Sequence, residues 1–463
     1  MHKSWFIAGL VTLMVPLYVG AAELPNPEPS ATEPFAYADF TWLNGTSREK
    51  APVIDTKYFT GEFSFDGNYI YDFANPIDHT LSGSTNAGRT GEFQVEQFGV
   101  GGDFHYENIR GRIFTQFGMY ATQTPRNDPS PSRGQWDLAD AYRYLSEAYA
   151  GYHWDYWHGI NLDAGIFMSY IGLCSYYNFE NWIYQMSYVS ANTPWFFNGL
   201  RLQTFPTDKL KVELWLINGW QSYGMINGSP GFGWQILWRP TQYFSFVTNE
   251  YFGYDTPLVA TRARFHTDTS AQLKYHDDPK STISKAAFSL TVDLGCESGG
   301  GVECLNGNST TPEQSFAGFM FYNRLWFEHD KYAITLGGGA ISNPGRYLVL
   351  IPPVQTSNPG TYGGASAITG SSQLGTACAN CFSTGPGLPF HAWDASVTFD
   401  YMPSQYITYR AEYIHRHADT PYFSGSGGIT SPNGWNTTPQ GANWIPDLQN
   451  SEDRLNFALM VRL

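Results

Sequence analysis

Apolar and polar residues alternate one by one along much of this chain. Phe59, Gly61, Phe63, Phe65, Gly67, Tyr69, Tyr71 and Phe73 occupy odd positions, while Thr60, Glu62, Ser64, Asp66, Asn68, Ile70 and Asp72 fall between them. A β-strand points successive side chains to opposite faces, so this pattern makes one apolar and one polar face; a helix would scatter the same residues around its circumference. The pattern returns repeatedly. Ile109, Gly111 and Ile113 oppose Arg110 and Arg112; Leu162, Ala164 and Ile166 oppose Asp163; Leu210, Val212 and Leu214 oppose Lys211 and Glu213. Further on, Phe288, Leu290 and Val292 oppose Ser289, Thr291 and Asp293; Trp393, Val397 and Phe399 oppose Asp394, Ser396 and Asp400; Ile407, Tyr409 and Ala411 oppose Thr408, Arg410 and Glu412.

This reading predicts about sixteen strands, near 57–73, 93–104, 109–121, 143–154, 160–168, 198–205, 210–220, 232–239, 243–251, 260–276, 285–294, 315–327, 332–340, 393–402, 406–416 and 453–463. Short connections at 105–108, 155–159, 206–209, 240–242, 328–331 and 403–405 alternate with mostly much longer ones. The expectation is an all-β fold: a transmembrane antiparallel up-and-down β-barrel with short periplasmic turns, long extracellular loops and both termini in the periplasm. Trp154, Trp157, Trp238, Tyr243, Trp326 and Tyr332 flank the short turns, where aromatic girdles meet the membrane–water interface. A soluble barrel of this size would expose a large aromatic surface, which monomeric soluble proteins avoid.

Composition supports that choice: aromatics make up 17% of the chain and charged residues only 14%, with 47 glycines. No apolar run of about 18 residues follows residue 22, so no membrane-spanning helix is expected, and closed barrels are the other structure that satisfies every backbone group in lipid. The net charge of −15 argues against a nucleic-acid partner and hints at a preference for cations, although acidic surface loops are the simpler account of the excess. His2 and Lys3, an apolar run over 5–19, and Gly20, Ala21 and Ala22 have the layout of a secretory signal peptide spanning 1–22. Residues 23–54, which open on a Pro- and Glu-rich stretch, then form a periplasmic lead-in that starts flexible, and 55–463 form the barrel in the outer membrane of a Gram-negative cell. Outer-membrane lipid is one expected partner. The assembly machinery that reads the last strand is another; here that strand ends on Leu463, where Phe is usual.

Five cysteines follow the signal. Cys296 with Cys304, and Cys378 with Cys381, read as disulfides stapling loops, since an exported chain meets an oxidising compartment; Cys174 is left over. The Cys378–Cys381 spacing lacks the βαβ context of a redox site and a second ligand pair for zinc, so no metal or cofactor is expected. Neither a nucleophile-elbow motif nor a zinc-protease motif is present, and His153, His266, His391 and His415 stand isolated; the chain does not read as an enzyme. The glycines at 337–339 close a strand.

Three runs, residues 164–172 (AGIFMSYIG), 192–201 (NTPWFFNGLR) and 216–220 (LINGW), resemble the OmpL-like β-barrel porins of type 2. The resemblance covers most of the chain after residue 55. It implies an outer-membrane porin-like barrel and brings no catalytic residues with it.

About sixteen strands leave an aqueous channel. Its expected function is passive diffusion of small hydrophilic solutes or ions, with Arg110, Arg112, Asp163, Arg201, Glu213, Asp394, Asp400, Arg410 and Glu412 as candidate pore-lining residues. The long connection 169–197 carries many aromatics and one charge. Either it folds into the lumen as a constriction, through Tyr176, Tyr177, Glu180, Trp182 and Trp195, or it packs outside on its neighbours. A structural or adhesive surface barrel, or a sheath for a periplasmic electron-transfer partner, is the alternative function. A homotrimer is open to barrels of this size.

Overall fold

The computed structural model describes residues 33–77, 79–125, 128–130, 134–257, 259–345, 347–349, 386–429 and 445–463. Sixteen antiparallel strands close into one barrel. They are β1 (Phe59–Asp72), β2 (Phe93–Tyr106), β3 (Ile109–Thr115), β4 (Leu145–Trp154), β5 (Ile160–Met168), β6 (Phe196–Thr207), β7 (Leu210–Ile217) and β8 (Gly231–Thr241). The second half comprises β9 (Phe244–Gly253), β10 (Ala263–Asp277), β11 (Ile283–Ser298), β12 (Ser315–Phe327), β13 (Tyr332–Asn343), β14 (Phe390–Ser404), β15 (Ile407–Ala418) and β16 (Ser451–Arg462). Each strand pairs with its neighbours in the chain. β16 returns to β1, with Leu455 opposite Tyr71 and Val461 opposite Phe65, so the barrel has no open edge.

The alternation in the sequence becomes an inside and an outside. On β14, Trp393, Val397 and Phe399 are 43–48% exposed, whereas Asp394, Ser396, Thr398 and Asp400 are at most 5% exposed. Apolar side chains point outward and polar ones inward, the reverse of a soluble fold and the arrangement a barrel in lipid requires. Tyr106, Trp154, Tyr156, Trp157, Trp238 and Tyr243 stand exposed beside the short turns. Among the described residues, no helix is long and apolar enough to cross a membrane.

Two elements depart from the sequence reading. β3 stops at Thr115 rather than reaching 121; Phe117 keeps only an isolated bridge to Phe98. Gly118 then turns with φ +103°, where a Cβ would lie 2.5 Å from the Val95 carbonyl oxygen, and a short helix, Tyr120–Gln123, follows. The glycines at 337–339 lie inside β13, which continues to Asn343, instead of ending it.

The lumen holds the protein's main hydrophobic core. Trp42, Tyr177, Trp182, Tyr188, Trp195, Tyr322 and Trp326 belong to one buried cluster. Two segments supply much of it: 169–195, which follows β5, and 33–50, which precedes the barrel. The second segment is fixed rather than loose. Asn44 accepts from Trp182 N (2.9 Å) and its backbone N–H donates to Gln272 (2.8 Å); Trp42 Nε1 donates to the Gln242 carbonyl (3.1 Å); Arg48 donates to the carbonyls of Ser404 (2.9 Å) and Ile407 (2.7 Å). It thus straps the short-turn end, from the β8–β9 turn to the β14–β15 turn. The aromatics Phe35, Tyr37, Phe40 and Trp42 were its signal in the sequence: so many rings in one short stretch need somewhere to be buried.

Candidate functional site

After Met168 the chain turns into the barrel, and every residue from 181 to 197 is buried. A segment so rich in rings gains from burial, but its backbone groups must then find partners. The polar face of the far wall supplies them. Arg410 donates to the carbonyls of Ile183 and Asn181, each at 2.6 Å, and Arg324 donates to that of Trp182 at 3.2 Å. Both guanidiniums share Asp400, Arg410 through Nε and Arg324 through Nη1, each at 2.7 Å. Glu412 accepts the next two backbone N–H groups, Tyr184 (2.7 Å) and Gln185 (2.8 Å). Asp394 accepts from Ser187 Oγ (2.7 Å) and Tyr188 N (3.2 Å). Wall arginines therefore take loop carbonyls and wall carboxylates take loop amides.

The one-turn helix Tyr188–Ala191 lies against β12 and β13. A Cβ on Gly339 would sit 2.4 Å from Ser187 Oγ, so a bare backbone is what lets the loop approach this closely. From the other side Asp66 accepts from Asn178 (2.8 Å) and from the Tyr184 hydroxyl (3.0 Å).

The nine charged residues singled out in the sequence all lie on the lumen face, but in two groups. Asp394, Asp400, Arg410 and Glu412 are buried beneath the loop. Arg110, Arg112, Asp163, Arg201 and Glu213 lie across the barrel on β3–β7 and pair with wall groups. Asp163 faces Arg201 at 2.8 Å and Arg110 at 3.3 Å; Arg201 lies over the Tyr149 and Phe167 rings; Glu213 faces Lys211 at 2.7 Å. Arg112 meets three carboxylates, Glu62 (2.6 Å), Asp103 (2.8 Å) and Glu147 (2.9 Å). Arg462 meets Glu62 (2.7 Å), Glu49 (3.6 Å) and, in close contact, Glu180.

Of the loop residues, Tyr177 donates to Glu147 (2.9 Å), Tyr176 to Gln116 (2.7 Å), and Trp182 packs edge-on against Trp326. Trp195 is 4% exposed, and its indole N–H has no hydrogen-bond partner among the described residues. Burial raises Glu180 and Glu49 above the usual carboxylate range, against the pull of Arg462. Burial also pushes the Cys174 thiol up to about 12.

A cavity of about 560 Å³ remains between this loop and the wall running from β16 round to β5; Glu62, Arg112, Glu147, Tyr149, Trp195 and Arg462 are among its lining. The pore-lining candidates left out Glu62, Asp66, Glu147, Arg324 and Arg462. Alternation had already put Glu62 and Asp66 on the polar face and leaves Arg462 opposite the outward Leu459 and Val461, whereas Arg324 shares its inward parity with Phe316, Met320, Tyr322 and Trp326, and alternation does not mark it. Cys296 and Cys304 are joined, with Cα atoms 5.0 Å apart; Cys378 and Cys381 lie outside the described residues; Cys174 is free and buried. Among the described residues, no group of three or more His, Cys, Asp or Glu side chains is placed to hold a metal.

A closed barrel that is apolar outside, charged within and narrowed by its own loop defines a transport barrel of the outer membrane. Residues 59–438 match the family described as "Putative beta-barrel porin-2, OmpL-like", and the chain belongs to that family. The short turns then face the periplasm and the long loops the exterior. The lipid-embedded barrel and its C-terminal strand fit the pathway by which such proteins are assembled. No curated protein matches the chain. It is similar to several solved structures. One is in-vitro folded OmpT of Vibrio cholerae, at 9% identity over 89% of this chain and 100% of that one, with a TM-score of 0.47. Another is the outer membrane channel DcaP of Acinetobacter baumannii, at 10% identity over 91% and 100%, TM-score 0.47. OprB of Pseudomonas putida is a third, at 9% identity over 88% and 94%, TM-score 0.47.

Proposed function

We propose that this porin passes small hydrophilic solutes or ions by passive diffusion along an eccentric path, confined by the loop 169–195 and the strap 33–50 to the wall from β16 round to β5. The cavity of about 560 Å³ on that wall, a hollow lined by charged side chains, carries this reading. Of the pore-lining candidates, Arg112 borders that cavity, while Arg110, Asp163, Arg201 and Glu213 stand beside it on β3–β7 and contribute their charge to the same side of the lumen. Asp394, Asp400, Arg410 and Glu412 act instead by holding the constriction in place. Export through a signal peptide over 1–22, a lead-in over 23–54 and a trimeric assembly belong to the same reading. A sheath around an electron-transfer partner fits less well, because the chain's own segments occupy the lumen. The test is single-channel conductance of the purified mature protein in a planar bilayer with a salt gradient. Steady ohmic steps with a cation-selective reversal potential are expected; a barrel that never conducts overturns the proposal.

A further inference from the structure

Through the middle of the barrel most strands turn only apolar side chains outward. β7 presents Leu210, Val212, Leu214 and Leu216, and β11 presents Phe288, Leu290, Val292 and Leu294. β9 and β10 depart from this. The parity that buries Asn249 and Tyr251 turns Thr248 and Glu250 outward, and the parity that buries Asp268 turns Thr267 and Thr269 outward. The register sets Thr248 opposite Thr269 and Glu250 opposite Thr267, so the four make one polar square. The exposed rings of Phe252 and Phe265 flank it toward the exterior, and Trp238 and Tyr243 mark the short-turn end. The square therefore lies inside the apolar band that faces lipid.

An ionisable group at that depth is costly and is normally found with a partner. The Glu250 carboxylate has no ion pair or hydrogen bond among the described residues, and the Thr267 hydroxyl opposite it has none either. Asn323, an outward polar residue on β12, shows the usual remedy: its Nδ2 donates to the Tyr275 hydroxyl at 3.0 Å. Thr248 and Thr269 bond to each other at 2.9 Å, which leaves one of their two O–H groups to donate elsewhere. The square thus offers spare O–H donors beside a carboxylate that lacks one.

We infer that the outward face of β9–β10 is the surface through which copies of this chain assemble in the membrane. All copies cross the membrane in the same direction, so the axis of a closed cyclic assembly runs along the membrane normal. With the square turned toward that axis, the β9 side of one copy meets the β10 side of the next. Glu250 of each copy then accepts from the threonine hydroxyls of its neighbour, so the surplus of one copy answers the need of the other. The inference rests on the reading of the chain as an assembling barrel and not on its solute path.

The test counts chains per particle, by static light scattering of the full mature protein in mild detergent and by photobleaching steps of labelled protein in vesicles. More than one chain per particle is expected for the wild type. Glu250→Leu completes the apolar band and should give single chains whose circular dichroism still reports the barrel. Thr267→Val keeps the shape and removes a donor; it should raise the concentration at which half the assembly dissociates by about tenfold. Asn323→Leu makes a similar outward change away from this face and should leave the assembly intact. Single chains of wild type in both detergent and vesicles overturn the surface and the assembly together. An assembly that survives both Glu250→Leu and Thr267→Val, or one that Asn323→Leu dissociates as readily, overturns the surface and leaves the assembly standing. Thr267→Val decides the matter even where Glu250→Leu fails to fold. Conductance is read on the same preparation: a silent barrel that assembles through this face upholds the surface and overturns the solute path.

Discussion

The two sides of the lumen carry the same kinds of charge and use them differently. On β12–β15, Arg324, Arg410, Glu412 and Asp394 spend hydrogen bonds on the backbone of residues 181–188, Asp400 braces the two arginines, and all five are at most 4% exposed. On the wall from β16 round to β5, Arg112 and Arg462 bond to other side chains around a hollow. A charge whose partners are backbone groups of a buried loop is structural, because moving it orphans those groups. A charge whose partners are other side chains beside water remains available to a passing solute.

Replacing residues 175–190 by a short Gly-Ser linker gives the largest contrast. It unseals the first wall and takes from the second only the loop's own Tyr177 and Glu180, so single-channel conductance should rise at least about twofold. Unchanged conductance would mean that the loop does not limit the path. Arg410→Ala comes next. It strips the carbonyls of Asn181 and Ile183 of their donor and removes one of the two partners of Asp400, and breaking such a buried pair costs about 3–5 kcal/mol. A lower unfolding temperature and noisier current are expected; a variant as stable as wild type would show the loop to be held elsewhere.

Arg112→Gln acts on the open wall. It removes the guanidinium that three carboxylates share and should shift the reversal potential toward cations by about twofold in permeability ratio, with less effect on unfolding than Arg410→Ala. Acidification tests the same wall more gently. Burial holds Glu180 and Glu49 above the ordinary carboxylate range, so as pH falls they take up protons before exposed carboxylates do. Negative charge is lost from the cavity at Glu180 and from beside Arg462 at Glu49, and cation preference should begin to decline before exposed Asp and Glu titrate. A preference that stays flat down to that range would detach these two groups from selectivity. The smallest effect is expected from reducing Cys296–Cys304. That bridge ties the end of β11 to the loop that follows it, across a sequence separation of only 8, and conductance should not change.

Alternation made the strands legible. Each predicted segment finds its counterpart among β1–β16, and the inward or outward parity of Asp394, Asp400, Arg410 and Glu412 follows directly from it. Gly118 blurred the end of β3, because a local pattern of Phe117 and Met119 continues past the residue whose backbone turns away. The strap was harder to see. Its rings were visible, but a Pro- and Glu-rich opening disguised a segment that packs inside the barrel.

Local sequence thus determined the period-two strands, their number, their lipid and lumen faces and the membership of an outer-membrane family, since each of these depends on neighbours a few residues apart. It did not determine where the loop after β5 goes, or which lumen charges stay available to solute. Those answers depend on partners such as Tyr184 and Glu412, 228 positions apart, which meet only because the closed barrel sets β15 across the lumen from β5. No period or motif along the chain encodes that meeting. Closure of the barrel decided it, by offering buried loop amides and carbonyls one wall of complementary charge.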